Sequence, residues 1–177
     1  MGVDAGLHNR TSSRAEIDGP ATLHRRPQRF VEDWVAAYGC ARMTRKRVLV
    51  ADDLAPVLST VAALLRESFN VVGTASDGAA ALEAALTLKP DLVVLDISMP
   101  VMSGIEVAEE LKRQGNKAKV VFLTVHEDRD ILKTCRAAGG LGYVIKVLMD
   151  TDLIPAMNEA LVGHMFTSHF PSQQDMP

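Results

Sequence analysis

The chain has 177 residues, enough for one ordinary domain with an appendage and too few for two large ones. An apolar fraction of 47% excludes a mostly disordered chain, and a net charge of −3 excludes a whole-chain basic field for nucleic acid or anionic lipid. Two cysteines, Cys40 and Cys135, are too few for a disulfide scaffold and match no zinc spacing, and no apolar run reaches the ~18 residues of a membrane span. The first thirty residues carry Arg10, Arg14, Arg25 and Arg26 without an apolar core segment, so no secretory signal is expected. The expectation is a soluble protein of a reducing, cytoplasmic compartment.

Composition shifts near residue 46. Residues 1–46 hold eight Lys/Arg against five Asp/Glu, whereas the remaining 131 hold eleven against seventeen. Residues 1–45 read as an N-terminal extension. Its first 28 residues are expected to be disordered, for they lack a sustained period and are broken by Pro20 and Pro27. Phe30, Val31, Trp34, Val35 and Tyr38 then form one stripe of a short helix at 29–38, marginal alone at that length. Met43 is an alternative start, which would make residues 1–42 an upstream extension.

From residue 46 to 167 the pattern is regular, with residues 168–177 left as a polar tail. Val48-Leu49-Val50 reads as a buried strand ending in Asp52-Asp53. Pro56 suits the first turn of a helix whose apolar positions are Val57, Leu58, Val61, Leu64 and Leu65. Residues 70–75 form a second strand; Asp77 caps an Ala-rich helix that Lys89-Pro90 stops. Leu92–Leu95 is a third strand, continuously apolar as expected of a strand covered on both faces. A helix with Ile105, Val107, Ala108 and Leu111, a strand at Val120–Leu123, and a helix with Ile131, Leu132 and Cys135 follow. Tyr143-Val144-Ile145 is the fifth strand, and the last helix carries Leu153, Ile154, Met157, Ala160 and Leu161.

Five βα units specify an α/β domain with a five-stranded parallel sheet and helices on both faces. The economical topology is a doubly wound, flavodoxin-like sheet in the order 2-1-3-4-5, with a site where strands 1 and 3 diverge. At that edge the sequence gathers polar residues. Asp52 and Asp53 end strand 1, Asp96 ends strand 3, Thr124 ends strand 4 and Lys146 ends strand 5. Three converging carboxylates raise one another's pKa unless a cation neutralises them. An oxygen-only ligand set suits a hard ion, most naturally Mg²⁺. A metal, a lysine and a hydroxyl around one Asp make a phosphoryl-accepting site, because phosphoryl transfer needs charge neutralisation and positioning above all.

The motifs Val-Leu-Val-Ala-Asp52-Asp53, Leu95-Asp96-Ile-Ser-Met99-Pro100, Ser103-Gly104, Thr124 and Gly142-Tyr143-Val-Ile-Lys146 closely resemble the receiver domain of two-component response regulators. The likeness covers about residues 47–166 and is strongest to receivers that precede LuxR-type (NarL-type) DNA-binding domains. The resemblance implies that Asp96 takes a phosphoryl group from a histidine kinase or phosphotransfer protein. It implies that Asp53, Asp96 and the Ser98 backbone carbonyl hold Mg²⁺, with Asp52 acting mainly through metal-bound water. Thr124 and Lys146 would grip the phosphoryl oxygens. On phosphorylation Thr124 would move inward and Tyr143 rotate into the vacated space, repacking the face of helix 4, strand 5 and helix 5 for a downstream partner or a second copy.

Taken singly, each residue has a plainer reading: Asp52-Asp53 as a capping loop, Asp96 as a turn residue, Lys146 as a surface charge, Tyr143 as a core aromatic. Jointly, five residues of the required types at four strand ends favour the receiver. Three features depart from the family pattern. Gly139-Gly140 replaces the usual Gly-Ala, which would loosen the entry to strand 5; Val147 stands where Ser, Thr or Pro is common; and His126, two residues after Thr124, falls at a position that tunes dephosphorylation in the family. His126 is otherwise an exposed loop histidine, and Cys135 helix packing.

Other functions fit less well. A phosphomonoester hydrolase needs a placed acid or base, for which His126 is the one weak candidate. A flavin or nucleotide site wants backbone donors after strand 1, where Asp52-Asp53-Leu54-Ala55-Pro56 offers anions and a missing N–H. The expectation is therefore a phosphoacceptor rather than a turnover enzyme, with no membrane contact. The short polar tail after the last helix leaves no room for a helix-turn-helix, so direct DNA binding is not expected. A phosphorylation-independent docking module, or a fragment of a LuxR-type regulator, stays open as the alternative.

Overall fold

The computed structural model describes residues 45–125 and 128–169. The expected helix at 29–38, the remainder of the extension before residue 45, His126 and the tail after 169 lie outside these described residues.

Strands β1 (Arg47–Ala51), β2 (Asn70–Ala75), β3 (Leu92–Asp96), β4 (Lys119–Thr124) and β5 (Gly140–Ile145) alternate with helices α1 (Ala55–Leu65), α2 (Gly78–Leu88), α3 (Gly104–Arg113), α4 (Arg129–Ala137) and α5 (Met149–Val162). A 3₁₀ turn, Lys146–Leu148, joins β5 to α5. The sheet is parallel throughout, in the order β2-β1-β3-β4-β5-β6. The expected five-strand order is thus present, with a sixth strand added: β6 (Phe166–Thr167) lies on the outer edge of β5. Two residues are too short to print a period in the sequence.

Alternation of side chains across the sheet makes two cores. Val48, Val50, Leu92, Val94, Val121, Leu123 and Val144 face α1 and α5, where Val61, Leu65, Leu153 and Met157 meet them. Leu49, Ala51, Val93, Leu95, Phe122 and Tyr143 face the other side, covered by Ala81 and Ala85 of α2, Val107 and Leu111 of α3 and Cys135 of α4. Both faces being buried explains why β1, β3 and β4 read as unbroken apolar runs. Each fully buried Leu, Val or Phe contributes about 1.5–3 kcal/mol by leaving water, so the central strands are the rigid frame of the molecule.

The helix starts are fixed by capping at the edge where the strands end. Asp77 accepts a hydrogen bond from the Ala80 N–H at 2.8 Å, and Asp128 accepts from the Asp130 N–H at 2.7 Å. Ser103 and Glu106 form a reciprocal capping box at the start of α3. At the far end of α2, Lys89 takes the left-handed conformation before Pro90 and closes the helix.

The entry to β5 is not loosened by its glycines. A Cβ on Gly140 would stand 2.4 Å from Cε2 of the buried Phe122, so the aromatic ring fills the volume that an alanine would use. Glycine is the packing partner of Phe122, and β5 accordingly begins at residue 140, three positions before the apolar run that marks it in the sequence.

Candidate functional site

The parallel sheet brings the ends of β1, β3, β4 and β5 to one edge, and the registers Ala51↔Leu95, Asp96↔Leu123 and Thr124↔Ile145 level them. Asp52 follows β1 directly. Its N–H donates to the Ala75 carbonyl at 3.1 Å, and its Oδ1 accepts the Leu54 N–H at 3.0 Å, a local turn that aims the other carboxylate oxygen into the cleft. Asp53 stays exposed beside it, and Asp96 ends β3 at 4% exposure.

These three carboxylates converge, one oxygen of each lying within 4.8 Å of the others. Lys146, the first residue of the 3₁₀ turn after β5, reaches back across the strand ends. Its Nζ is 2.7 Å from Asp52 Oδ2 and 2.9 Å from Asp96 Oδ1. Asp52 Oδ2 is buried and makes no hydrogen bond of good geometry among the described residues, so the ammonium meets it as an ion pair.

The electrostatics follow from crowding in a partly dry cleft. Burial pushes the Asp96 carboxyl above its ordinary value; Lys146 opposes the rise, and Asp52 and Asp53 add to it. Burial pulls the Lys146 ammonium down, but the contacts with Asp52 and Asp96 outweigh it and hold its pKa above the usual lysine value. A site with three acids and one lysine still lacks positive charge. The donor set, all carboxylate oxygen and partly exposed at Asp53, fits a hard divalent ion that keeps some of its water.

Thr124 and Tyr143 complete the group. Both are 3% exposed. The Thr124 hydroxyl is hydrogen-bonded with the Tyr143 phenol, which also meets the Asp128 backbone, and burial raises the phenol pKa against both contacts. The ring therefore already occupies an inward position, coupled to the hydroxyl expected to face a phosphoryl group. Ser98 lies exposed on the loop two residues past Asp96. Cys135 is buried on α4 with its thiol pushed up to about 11 by desolvation, which makes it an inert packing residue.

Four exposed apolar side chains ring this edge: Leu54, Val101, Val125 and Val147, on the loops after β1, β3, β4 and β5. Val147 thus projects from the 3₁₀ turn without disturbing Lys146. A shallow cavity of about 600 Å³ lies instead near Lys46, Lys89, Asp91, Lys117 and Lys119 and includes none of the site residues. Its lysines gather where α2 and α3 end, where cations offset the helix dipoles.

Asp52, Asp53, Asp96 and Lys146 are brought together as their strand-end positions imply, and Thr124 ends the neighbouring strand with its hydroxyl bonded to Tyr143, two residues inside β5. Sequence reasoning missed the Asp128 backbone contact and the packing of β6 on the flank of Tyr143.

A parallel α/β sheet with an acidic cluster and a lysine at its carboxyl edge defines a receiver-like signalling fold. The family description "response regulator receiver domain" matches residues 48–158, and the chain belongs to that family. It is 40% identical over 117 residues to the transcriptional regulatory protein PdtaR of Mycobacterium tuberculosis, an overlap covering 66% of this chain and 57% of that protein. It is 32% identical over 123 residues to the nitrate/nitrite response regulator NarL of Escherichia coli, covering 68% of this chain and 57% of NarL. Among solved structures, the signal receiver domain of NarL from Mycobacterium tuberculosis superposes with a TM-score of 0.65 at 32% identity, over 68% of this chain and 98% of that one. The chain thus spans a little over half the length of these curated relatives. Among the described residues no helix is long and apolar enough to cross a membrane.

Proposed function

We propose that this chain is a phosphoacceptor switch of a two-component phosphorelay, with Asp96 as the acceptor. The observation that carries the reading is the simultaneous approach of Lys146 to Asp52 and Asp96 beside Asp53. That arrangement concentrates negative charge on one buried carboxylate and supplies a single fixed cation to offset it, which is what an acyl-phosphate site requires.

In the proposed step an Asp96 oxygen attacks phosphorus in line. The new O–P bond forms as the bond to the donor's ring nitrogen breaks, and that nitrogen leaves with the electron pair. Asp53, Asp96 and the Ser98 carbonyl, with Asp52 acting mainly through bound water, would hold Mg²⁺, which would neutralise phosphoryl charge. Lys146 exchanges part of its contact with Asp96 for a phosphoryl oxygen, and the Thr124 hydroxyl donates to another while accepting from the Tyr143 phenol. The added charge and acceptor oxygens shift the balance of the Thr124–Tyr143 pair and repack the α4-β5-α5 face for a downstream protein or a second copy. The apolar ring of Leu54, Val101, Val125 and Val147 around an acidic centre suits a protein donor, a histidine kinase or phosphotransfer protein, better than a small molecule. Such a donor places the reaction in the cytoplasm, and the product is a signal rather than a turnover. The resemblance to transcriptional regulators supports a transcriptional output.

The test is incubation with Mg²⁺ and a small phosphodonor, followed by mapping of the hydroxylamine-labile adduct. Label is expected on the wild type and absent from Asp96→Asn. Label that persists in the variant rejects Asp96 as the acceptor; an unlabelled wild type favours a phosphorylation-independent docking module.

A further inference from the structure

The sixth strand is placed where it acts on the switch residue. After α5, Gly163 takes a left-handed conformation (φ 86°) and the His164 N–H donates to the Glu159 carbonyl at 2.9 Å, so the chain turns back along the sheet. Phe166 then pairs with Gly142 and Thr167 with Tyr143 on the outer edge of β5. The next N–H, that of Ser168, donates to the Tyr143 carbonyl at 2.9 Å. The Ser168 hydroxyl, 3% exposed, donates to the Asp152 carboxylate on α5, and Arg136 of α4 reaches the Thr167 hydroxyl at 3.4 Å. Three residues are tied to α4, β5 and α5 at once.

Cross-strand partners share a face of the sheet, so the Thr167 side chain stands beside that of Tyr143 on the side covered by α4. The Arg136 contact fixes it there. Thr167 and the Arg136 side chain that reaches it at 3.4 Å therefore lie beside Tyr143 at the outer edge of β5. Without β6 that flank would be an open sheet edge with unpaired backbone groups and room for the ring.

We propose that Phe166–Ser168 is a latch that holds Tyr143 in its buried rotamer and so pre-sets the domain toward its phosphoryl-accepting form. Thr167 and Ser168 are positioning residues acting through Tyr143, and the inference rests on the phosphoacceptor reading of Asp96. Because coupling between two sites is reciprocal, a latch that favours the buried ring strengthens phosphoryl binding, and phosphoryl binding tightens the latch.

The test uses the full chain with 3-fluorotyrosine and Tyr38→Phe, leaving Tyr143 as the one fluorinated reporter. Ser168→Pro removes both the N–H to Tyr143 and the hydroxyl to Asp152; Ser168→Ala removes only the hydroxyl. In Ser168→Pro the Tyr143 fluorine signal is expected to become accessible to a soluble paramagnetic quencher. The affinity for beryllium trifluoride with Mg²⁺ is expected to fall about 5-fold or more, the lower end of ordinary coupling. Ser168→Ala should show a smaller change of the same sign, with the fold retained by circular dichroism. A reporter equally protected in all three proteins, with affinities within 2-fold, overturns the latch. If the wild type binds no beryllium trifluoride while Ser168→Pro still exposes Tyr143, the latch stands and the phosphoacceptor reading fails instead.

Discussion

Gly104 packs against the backbone of Asp96 so closely that a Cβ at position 104 would stand 2.1 Å from the Asp96 carbonyl oxygen. The Gly104 N–H also donates to the Ile97 carbonyl at 3.0 Å. The first turn of α3 is thereby clamped onto the end of β3, and the clamp sets where the Asp96 carboxylate points. The neighbours are the Asp96 carbonyl group and, at 3.3 Å, the Leu95 Cβ, none of them the far end of a flexible side chain that could yield. Gly104→Ala is therefore expected to destabilise the domain by about 1–3 kcal/mol, the range for overpacking a tight contact. It should also slow phosphodonor labelling of Asp96 in the fraction that folds. Urea unfolding and a labelling time course check the two effects; wild-type values for both refute the clamp.

Asp96 is raised above its ordinary value of 3.8, first by burial and then by its acidic neighbours, against the pull of Lys146. The folded chain therefore holds this proton more tightly than the unfolded chain. The contribution is complete below pH 3.8 and is lost as the pH rises through the elevated value. At neutral pH the ionised carboxylate opposes folding. Asp96→Asn keeps the shape and removes the charge, and it is expected to raise Tm by about 4 °C, or roughly 1 kcal/mol for a domain of this size. The gain should shrink toward acid pH, a trend that thermal melts at pH 4 and pH 7 measure directly; a variant that melts below the wild type at pH 7 contradicts the argument.

The fold and the site were legible to different depths for physical reasons. β1, β3 and β4 are buried on both faces, so each leaves an unbroken apolar run, and in a parallel sheet the residues after such runs fall at one edge. That is why the sequence by itself places Asp52, Asp53, Asp96, Thr124 and Lys146 at one edge. Features that depend on contact rather than period were not visible. Gly140 looked like a loose entry to β5 because nothing in the sequence says that the Phe122 ring occupies its Cβ volume. The latch was missed because a two-residue strand has no pattern. The Thr124–Tyr143 bond joins residues 19 apart across neighbouring strands, a distance that only the register β4–β5 closes.

Lys146 holds two buried carboxylates at 2.7 and 2.9 Å, and its removal leaves both without their ammonium. Lys146→Ala is expected to lose about 3 kcal/mol at pH 7, the lower end for breaking a buried ion pair from one side. Divalent cation should restore more stability to the variant than to the wild type, because the extra negative charge raises its affinity for a hard ion. Contacts with Asp52 and Asp96 overcome burial and hold the Lys146 pKa above the ordinary lysine value. Its stabilisation is thus present at neutral pH and is lost only as the pH climbs through that raised value. Urea titrations with and without Mg²⁺ test the claim, and equal stabilisation of both proteins by Mg²⁺ contradicts it.

Val101 follows Pro100 on the loop between Asp96 and α3 with φ at 68°, a left-handed conformation that a β-branched residue rarely adopts. Its side chain is 85% exposed, so packing returns little for that strain. The conformation is imposed from both sides: the Met102 N–H donates to the Pro100 carbonyl at 2.8 Å, and Pro100 also receives the Gly78 N–H at 3.4 Å. Glycine adopts this backbone freely but gives up more freedom on folding, which offsets part of the relief. Strain of about 1–2 kcal/mol against that entropy predicts that Val101→Gly stabilises the domain by roughly 0.5–1 kcal/mol. If the exposed valine serves the apolar ring around Asp96, the same variant should also accept phosphate more slowly from a protein donor while labelling normally with a small phosphodonor. A variant that gains stability and keeps both rates removes Val101 from the donor surface; one that loses stability shows that the valine is not strained.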